Sequence, residues 1–146
     1  MTARFFVDTN VLVYARDAAE AVKRPQALAW LDAIWSDKNG CVSFQVLHEY
    51  YSVMTGKLSR GIPKEEARAH VRALLAWKVV APGDVLAAAW GMQDQYKLSW
   101  WDSLIVGAAK IGGCAYLLSE DFSAGHDYNG VRMINPFATE PADVLR

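Results

Sequence analysis

The chain has 146 residues, 53% of them hydrophobic, with six tryptophans and 15 basic against 16 acidic side chains. That length and apolar content suit one globular domain and exclude intrinsic disorder, and no apolar run approaches the roughly 20 residues needed to span a bilayer. A net charge near zero excludes the strongly basic footprint of a stoichiometric nucleic-acid binder, but not a nucleic-acid enzyme with locally supplied positive charge.

Met1 to Arg4 lacks the charged start, apolar centre and small-residue cleavage site of a signal peptide, so a cytoplasmic location is the expectation. Arg4 to Val7 reads as a short buried strand ending at Asp8, with Asn10 as the cap of a helix beginning at Val11. Pro25 marks a second helix start, and Leu28, Leu31, Ile34 and Trp35 form its apolar face before Asn39-Gly40 ends it. Cys41-Val42 is a strand, after which Ser43 caps a helix carrying Val46, Leu47, Tyr50, Tyr51 and Met54 as far as Gly56.

Pro63 with Glu65 and Glu66 opens a further helix, because proline fits the first turn and acids favour the positive end of the helix dipole. Val79-Val80 is a strand, Asp84 a candidate cap, and Val85, Ala88, Ala89, Met92 and Tyr96 a helical stripe. Ser99 caps a helix that is apolar almost all round from Trp100 to Ile111, a pattern that places it against the sheet. Ala115 to Leu118 and Val131 to Ile134 are the last strands. Short apolar strands alternating with helices imply an α/β fold with a central parallel sheet flanked by helices. The domain spans residues 1–137, and 138–146 reads as a tail.

Four acids stand in apolar surroundings: Asp8 after Phe5-Phe6-Val7, Glu49 within a hydrophobic helix, Asp102 after Trp100-Trp101, and Asp121 after Leu117-Leu118-Ser119-Glu120. Each has a structural explanation of its own, as a cap, a first-turn acid, a turn residue or half of an ion pair. Jointly they say more. Two follow strands and two lie in flanking helices, and in parallel sheets ligands bind outside the carboxyl ends of the strands. Four converging carboxylates repel one another unless a cation joins them.

Hard divalent ions such as Mg²⁺ prefer oxygen ligands, and no His pair or Cys cluster points to zinc. Cys41 and Cys114 read as buried reduced thiols. His48 points about 100° around its helix from Glu49 and reads as structural; His126 reads as a surface-loop residue with a lesser claim on substrate. Trp100 and Trp101 read as core or partner-facing. Arg16, Lys23, Arg24, Lys57 and Arg60 could hold backbone phosphates, against a plainer reading as solvated surface.

With Asp8-Thr9-Asn10-Val11-Leu12-Val13-Tyr14-Ala15, Glu49, Trp101-Asp102-Ser103-Leu104-Ile105, Leu118-Ser119-Glu120-Asp121 and Asn129-Gly130-Val131-Arg132-Met133-Ile134-Asn135-Pro136-Phe137, the chain resembles PIN-domain ribonucleases over essentially its whole length. Among these it most resembles the VapC toxins of type II toxin-antitoxin pairs. The resemblance implies a quartet of Asp8, Glu49, Asp102 and Asp121 around Mg²⁺ or Mn²⁺, supported by Thr9, Asn10 and Ser119, with Glu120 the alternative fourth acid. It also implies RNA cleavage, a homodimer, and inhibition by a cognate antitoxin. Two rivals remain: a binding module with a vestigial acidic patch, and a phosphatase forming an aspartyl-phosphate at Asp8. The latter conflicts with Asn rather than Asp at position 10 and the lack of a partner lysine.

Overall fold

The computed structural model describes residues 3–56 and 62–145; Lys57 and Arg60 lie outside the described residues. The elements run β1 (Phe5–Val7), α1 (Thr9–Arg16), α2 (Lys23–Asp37), β2 (Gly40–Ser43), α3 (Phe44–Thr55), α4 (Lys64–Leu74), β3 (Lys78–Val80), α5 (Pro82–Tyr96), α6 (Trp100–Ile111), β4 (Tyr116–Leu118), β5 (Asp127–Tyr128) and β6 (Val131–Ile134), and a 3-10 turn follows at Pro141–Asp143. The strands line up as β3-β2-β1-β4-β6-β5, parallel throughout except that β5 runs antiparallel to β6.

The central strands are hydrophobic without alternation because helices cover both faces: Phe5, Phe6, Val7, Cys41, Val42, Leu117 and Leu118 are all fully buried. β1 lies between β2 and β4, with Phe6 paired to both Cys41 and Leu117. This order puts the carboxyl end of β1 beside that of β4, so Asp8 and the residues after Leu118 become neighbours although more than a hundred positions separate them in sequence. The Asp8 amide donates to the Leu118 carbonyl at 3.0 Å and fixes that junction.

Four helix starts differ from the sequence expectation, among them α4, where Pro63 is the extended residue before Lys64 rather than a member of the first turn. The first helix is capped by Asp8, whose carboxylate accepts from the Thr9 amide, and Asn10 lies inside its first turn. α2 begins at Lys23, two residues before Pro25. α5 begins at Pro82 behind Ala81, so Asp84 serves the dipole from within the first turn rather than capping it. Ser43 and Ser99 do cap, accepting from the amides of Val46 and Asp102. The segment after Phe137 folds back on α2, where Trp30 Nε1 donates to the Thr139 carbonyl at 2.9 Å and Gln26 Nε2 to that of Phe137 at 3.3 Å. Among the described residues, no helix is long and apolar enough to cross a membrane.

Candidate active site

Asp8 leaves β1 in extended conformation and turns at once into α1, which places its carboxylate at the carboxyl edge of the sheet with only 6% of the residue exposed. Its two oxygens have separate partners. Oδ1 accepts from the Thr9 amide at 2.7 Å, and Oδ2 accepts from the hydroxyl of Ser119 at 2.7 Å. Ser119, fully buried at the end of β4, also accepts from the Asp121 amide at 3.1 Å, so one hydroxyl fixes both an acid and the turn that carries the next.

Asn10, in the first turn of α1, reaches back over the same junction. Its Nδ2 donates to Ser119 Oγ at 3.0 Å and to Asp121 Oδ2 at 3.1 Å, with Asp8 Oδ2 at 3.5 Å. Thr9 faces the other way and donates its hydroxyl to Glu49 Oε2 at 2.9 Å, while Gln45 holds Oε1 at 2.9 Å from the preceding turn of α3. Asp8, Glu49 and Asp121 are thus joined by Thr9, Asn10 and Ser119 into one network, the six residues arising from β1, α1, α3 and the end of β4.

Asp102 stands apart from that network. It occupies the first turn of α6, half-buried, and its carboxylate has no hydrogen bond or ion pair among the described residues. Glu120 points elsewhere: Tyr14 donates to its Oε1 at 2.7 Å and Lys23 to its Oε2 at 2.8 Å, the ammonium lying over the Tyr14 ring at 4.6 Å. Burial pushes the Glu120 carboxyl up, but Lys23 and Tyr14 together hold it below the usual range. Lys23 is therefore spoken for, whereas Arg16 and Arg24 are exposed. His48 is exposed on α3 against Phe44, and Cys41 and Cys114 are buried free thiols.

Burial is also the largest influence on Asp8, and it raises the carboxyl pKa to about 6. The Ser119 and Thr9 bonds pull the value down, and the carboxylates of Asp121 and Glu49 push it up again. A buried acid that two other acids face is electrostatically unfinished, and a cation would complete it. The side-chain Oδ1 of Asn10, buried and without a hydrogen-bond partner among the described residues, is a second sign. All the available donors are oxygens, which suits a hard divalent ion. Among the described residues no three His, Cys, Asp or Glu side chains lie close enough together to hold an ion.

Sequence reasoning missed Gln45 and Tyr14, and it assigned Lys23 to backbone phosphates or solvent where the fold pairs it with Glu120. Gln45 sits four residues before Glu49 on one helix and was open to detection from that spacing; Tyr14 and Lys23 meet Glu120 only through the fold.

Fold and site together define a single α/β domain with carboxylates gathered at the carboxyl edge of a mostly parallel sheet. The chain belongs to the PIN domain family, whose model matches residues 5–124. Among solved structures it is similar to a toxin-antitoxin complex from Klebsiella pneumoniae, at 21% identity and a TM-score of 0.63 over 92% of this chain and 98% of that one. It is also similar to VapC20 of Mycobacterium tuberculosis, a sarcin-ricin loop cleaving toxin, at 20% identity and a TM-score of 0.56 over 80% of this chain and 91% of that one. At such identities the likeness is one of fold. No curated protein matches the chain.

Proposed function

We propose that this protein is an endoribonuclease that hydrolyses RNA phosphodiester bonds with Mg²⁺ or Mn²⁺ and acts as the toxin of a type II toxin-antitoxin pair. The observation that carries the reading is the network joining Asp8, Glu49 and Asp121 at the sheet edge of a PIN domain, with the unengaged carboxylate of Asp102 on α6. A divalent ion, when bound, supplies positive charge at the scissile phosphate and acidifies an attacking water.

The chain's own residues would divide the remaining work. Asp8 and Asp102 are the direct metal ligands in this reading, and Glu49 and Asp121 hold the ion directly or through water. Ser119 and Asn10 orient Asp8 and Asp121, and Thr9 orients Glu49; such outer partners set ligand direction and typically matter 10–100-fold in metal affinity or activity, roughly. Glu120, tied to Lys23 and Tyr14, holds the turn rather than the metal.

The toxin reading brings two protein partners, a cognate antitoxin and a second copy of the chain. The second is supported by an exposed apolar face on which Phe44, Leu86, Trp90 and Trp101 are 45%, 44%, 56% and 66% exposed, an accumulation unusual for a monomer surface. The central test is Asp102→Asn, which keeps shape and removes charge. It should lower Mg²⁺- or Mn²⁺-dependent cleavage of RNA by at least about a hundredfold with an unchanged circular dichroism spectrum. Undiminished cleavage by that variant, purified free of other nucleases, would overturn the assignment.

A further inference from the structure

Four aromatic rings gather on the flank of the acidic site where α5 meets α6. His126 lies 4.3 Å from Tyr128 between ring centroids and 5.6 Å edge-on from Tyr96; Tyr96 and Tyr128 are 5.1 Å apart, and Phe122 closes the group 5.9 Å from Tyr128. The inner members are packed. Tyr128 is buried, Tyr96 and Phe122 are half-buried, and only His126 at the outer edge is exposed.

The cluster bridges two acids of the site. Phe122 directly follows Asp121, while Tyr96 ends α5 just before Ser99 caps the helix that carries Asp102. Tyr128 packs against both, its ring 5.1 Å from Tyr96 and 5.9 Å from Phe122, so one aromatic group runs from the end of α5 to the turn after β4. Lys97, which follows Tyr96, is held in the left-handed region at φ 58°, is exposed, and has no partner among the described residues.

An exposed ring held in place by two packed aromatic neighbours, beside an uncommitted cation and a phosphodiester-cleaving centre, meets the two needs of single-stranded nucleic-acid binding: a stacking surface for a base and a positive charge for the backbone. Resting on the nuclease reading above, we infer that His126, backed by Tyr96 and Tyr128 and accompanied by Lys97, is a base-stacking subsite that takes an unpaired nucleotide of the RNA next to the scissile phosphate. Duplex RNA keeps its bases inside the stack and cannot offer one to the ring. The subsite therefore selects loops and single strands. His126 is a specificity residue that takes no part in the bond-breaking step.

Two measurements on the full chain separate this inference from the nuclease reading. Binding is followed by fluorescence anisotropy with Asp102→Asn protein, cleavage-silent in this reading, and a labelled single-stranded RNA of about 12 nucleotides, against the same RNA annealed to its complement. Adding His126→Ala should weaken single-strand binding about tenfold, leave duplex binding unchanged, and be rescued by His126→Phe. On the wild-type background His126→Ala should raise KM for single-stranded RNA with kcat within about twofold. Equal single-strand affinity with and without the ring overturns the subsite while leaving the nuclease reading intact. A wild-type protein that cleaves no RNA with either metal overturns the nuclease reading, even where His126 still governs single-strand binding.

Discussion

Asp8 carries opposing demands. As the cap of α1 it is best ionised, and as a buried residue facing two carboxylates it is best neutral. Its raised pKa fixes the sign of a pH effect. The folded chain holds the Asp8 proton more tightly than the unfolded one, so this contribution to stability is complete below the ordinary value of 3.8 and is lost as pH climbs through about 6. Two pH units correspond to at most about 3 kcal/mol. Asp8→Asn keeps a good cap and never ionises. In EDTA the wild type should therefore lose stability relative to Asp8→Asn between pH 4 and pH 7, and parallel melting profiles over that range would show that burial does not penalise the Asp8 charge. Its neighbour Glu120 poses the opposite case. Both its oxygens are already bonded to Lys23 and Tyr14, and the ion pair is partly exposed and therefore screened by solvent. Mn²⁺ titration calorimetry should find the affinity of Glu120→Gln within about threefold of wild type, and that of Asp121→Asn down by about tenfold or more. The reverse ranking would move the fourth ligand to Glu120.

Elements with a long, consistent pattern are the ones legible in the sequence. The stripe of α3, the mostly apolar α6 and the serine caps of both follow directly from side-chain spacing and capping chemistry. β5 does not, because Asp127–Tyr128 is too short to show any period and exists only through its pairing with β6. The start of α1 went to Asn10 because Asp8 and Asn10 are equally good caps by type; the backbone at Asp8 decides between them. The contact of α5 with α6 was likewise invisible. A side chain at Gly107 would place its Cβ 2.8 Å from the backbone nitrogen of Ala89, so the glycine lets the two helices approach. Gly107→Ala should cost about 1–3 kcal/mol in urea unfolding, despite the better helix propensity of alanine. Wild-type stability in that variant would mean that α5 and α6 can separate without loss.

At the scale of the whole molecule, the element that carries each acid could be read from the sequence because strand ends and helix starts are local events, whereas which acids meet, and what supports them, depends on chain closure. Glu120 meets Tyr14 and Lys23 only after β4 has been laid beside β1, and nothing near any of the three announces it. Surfaces are harder still. Trp101 lies in an apolar run that reads equally well as core or as interface, and the fold decides for exposure. Phe44, Leu86 and Trp101 line one concavity together with Val80, Val85 and Leu104, and Trp90 adds a further ring one turn beyond Leu86 on α5. Aromatic anchors of this kind dominate protein association when water is excluded from them. If this face joins two copies, Trp101→Glu must bury a charge in the interface without disturbing a core in which Trp101 takes little part. Analytical ultracentrifugation should then show a wild-type dimer and a folded Trp101→Glu monomer. Because α6 also carries Asp102, one residue on, this exposed face and the proposed metal ligand lie on adjacent positions of one helix. RNA cleavage measured below and above the dimer dissociation constant should rise more than the protein concentration alone requires. A strictly proportional rise would show that each copy works independently.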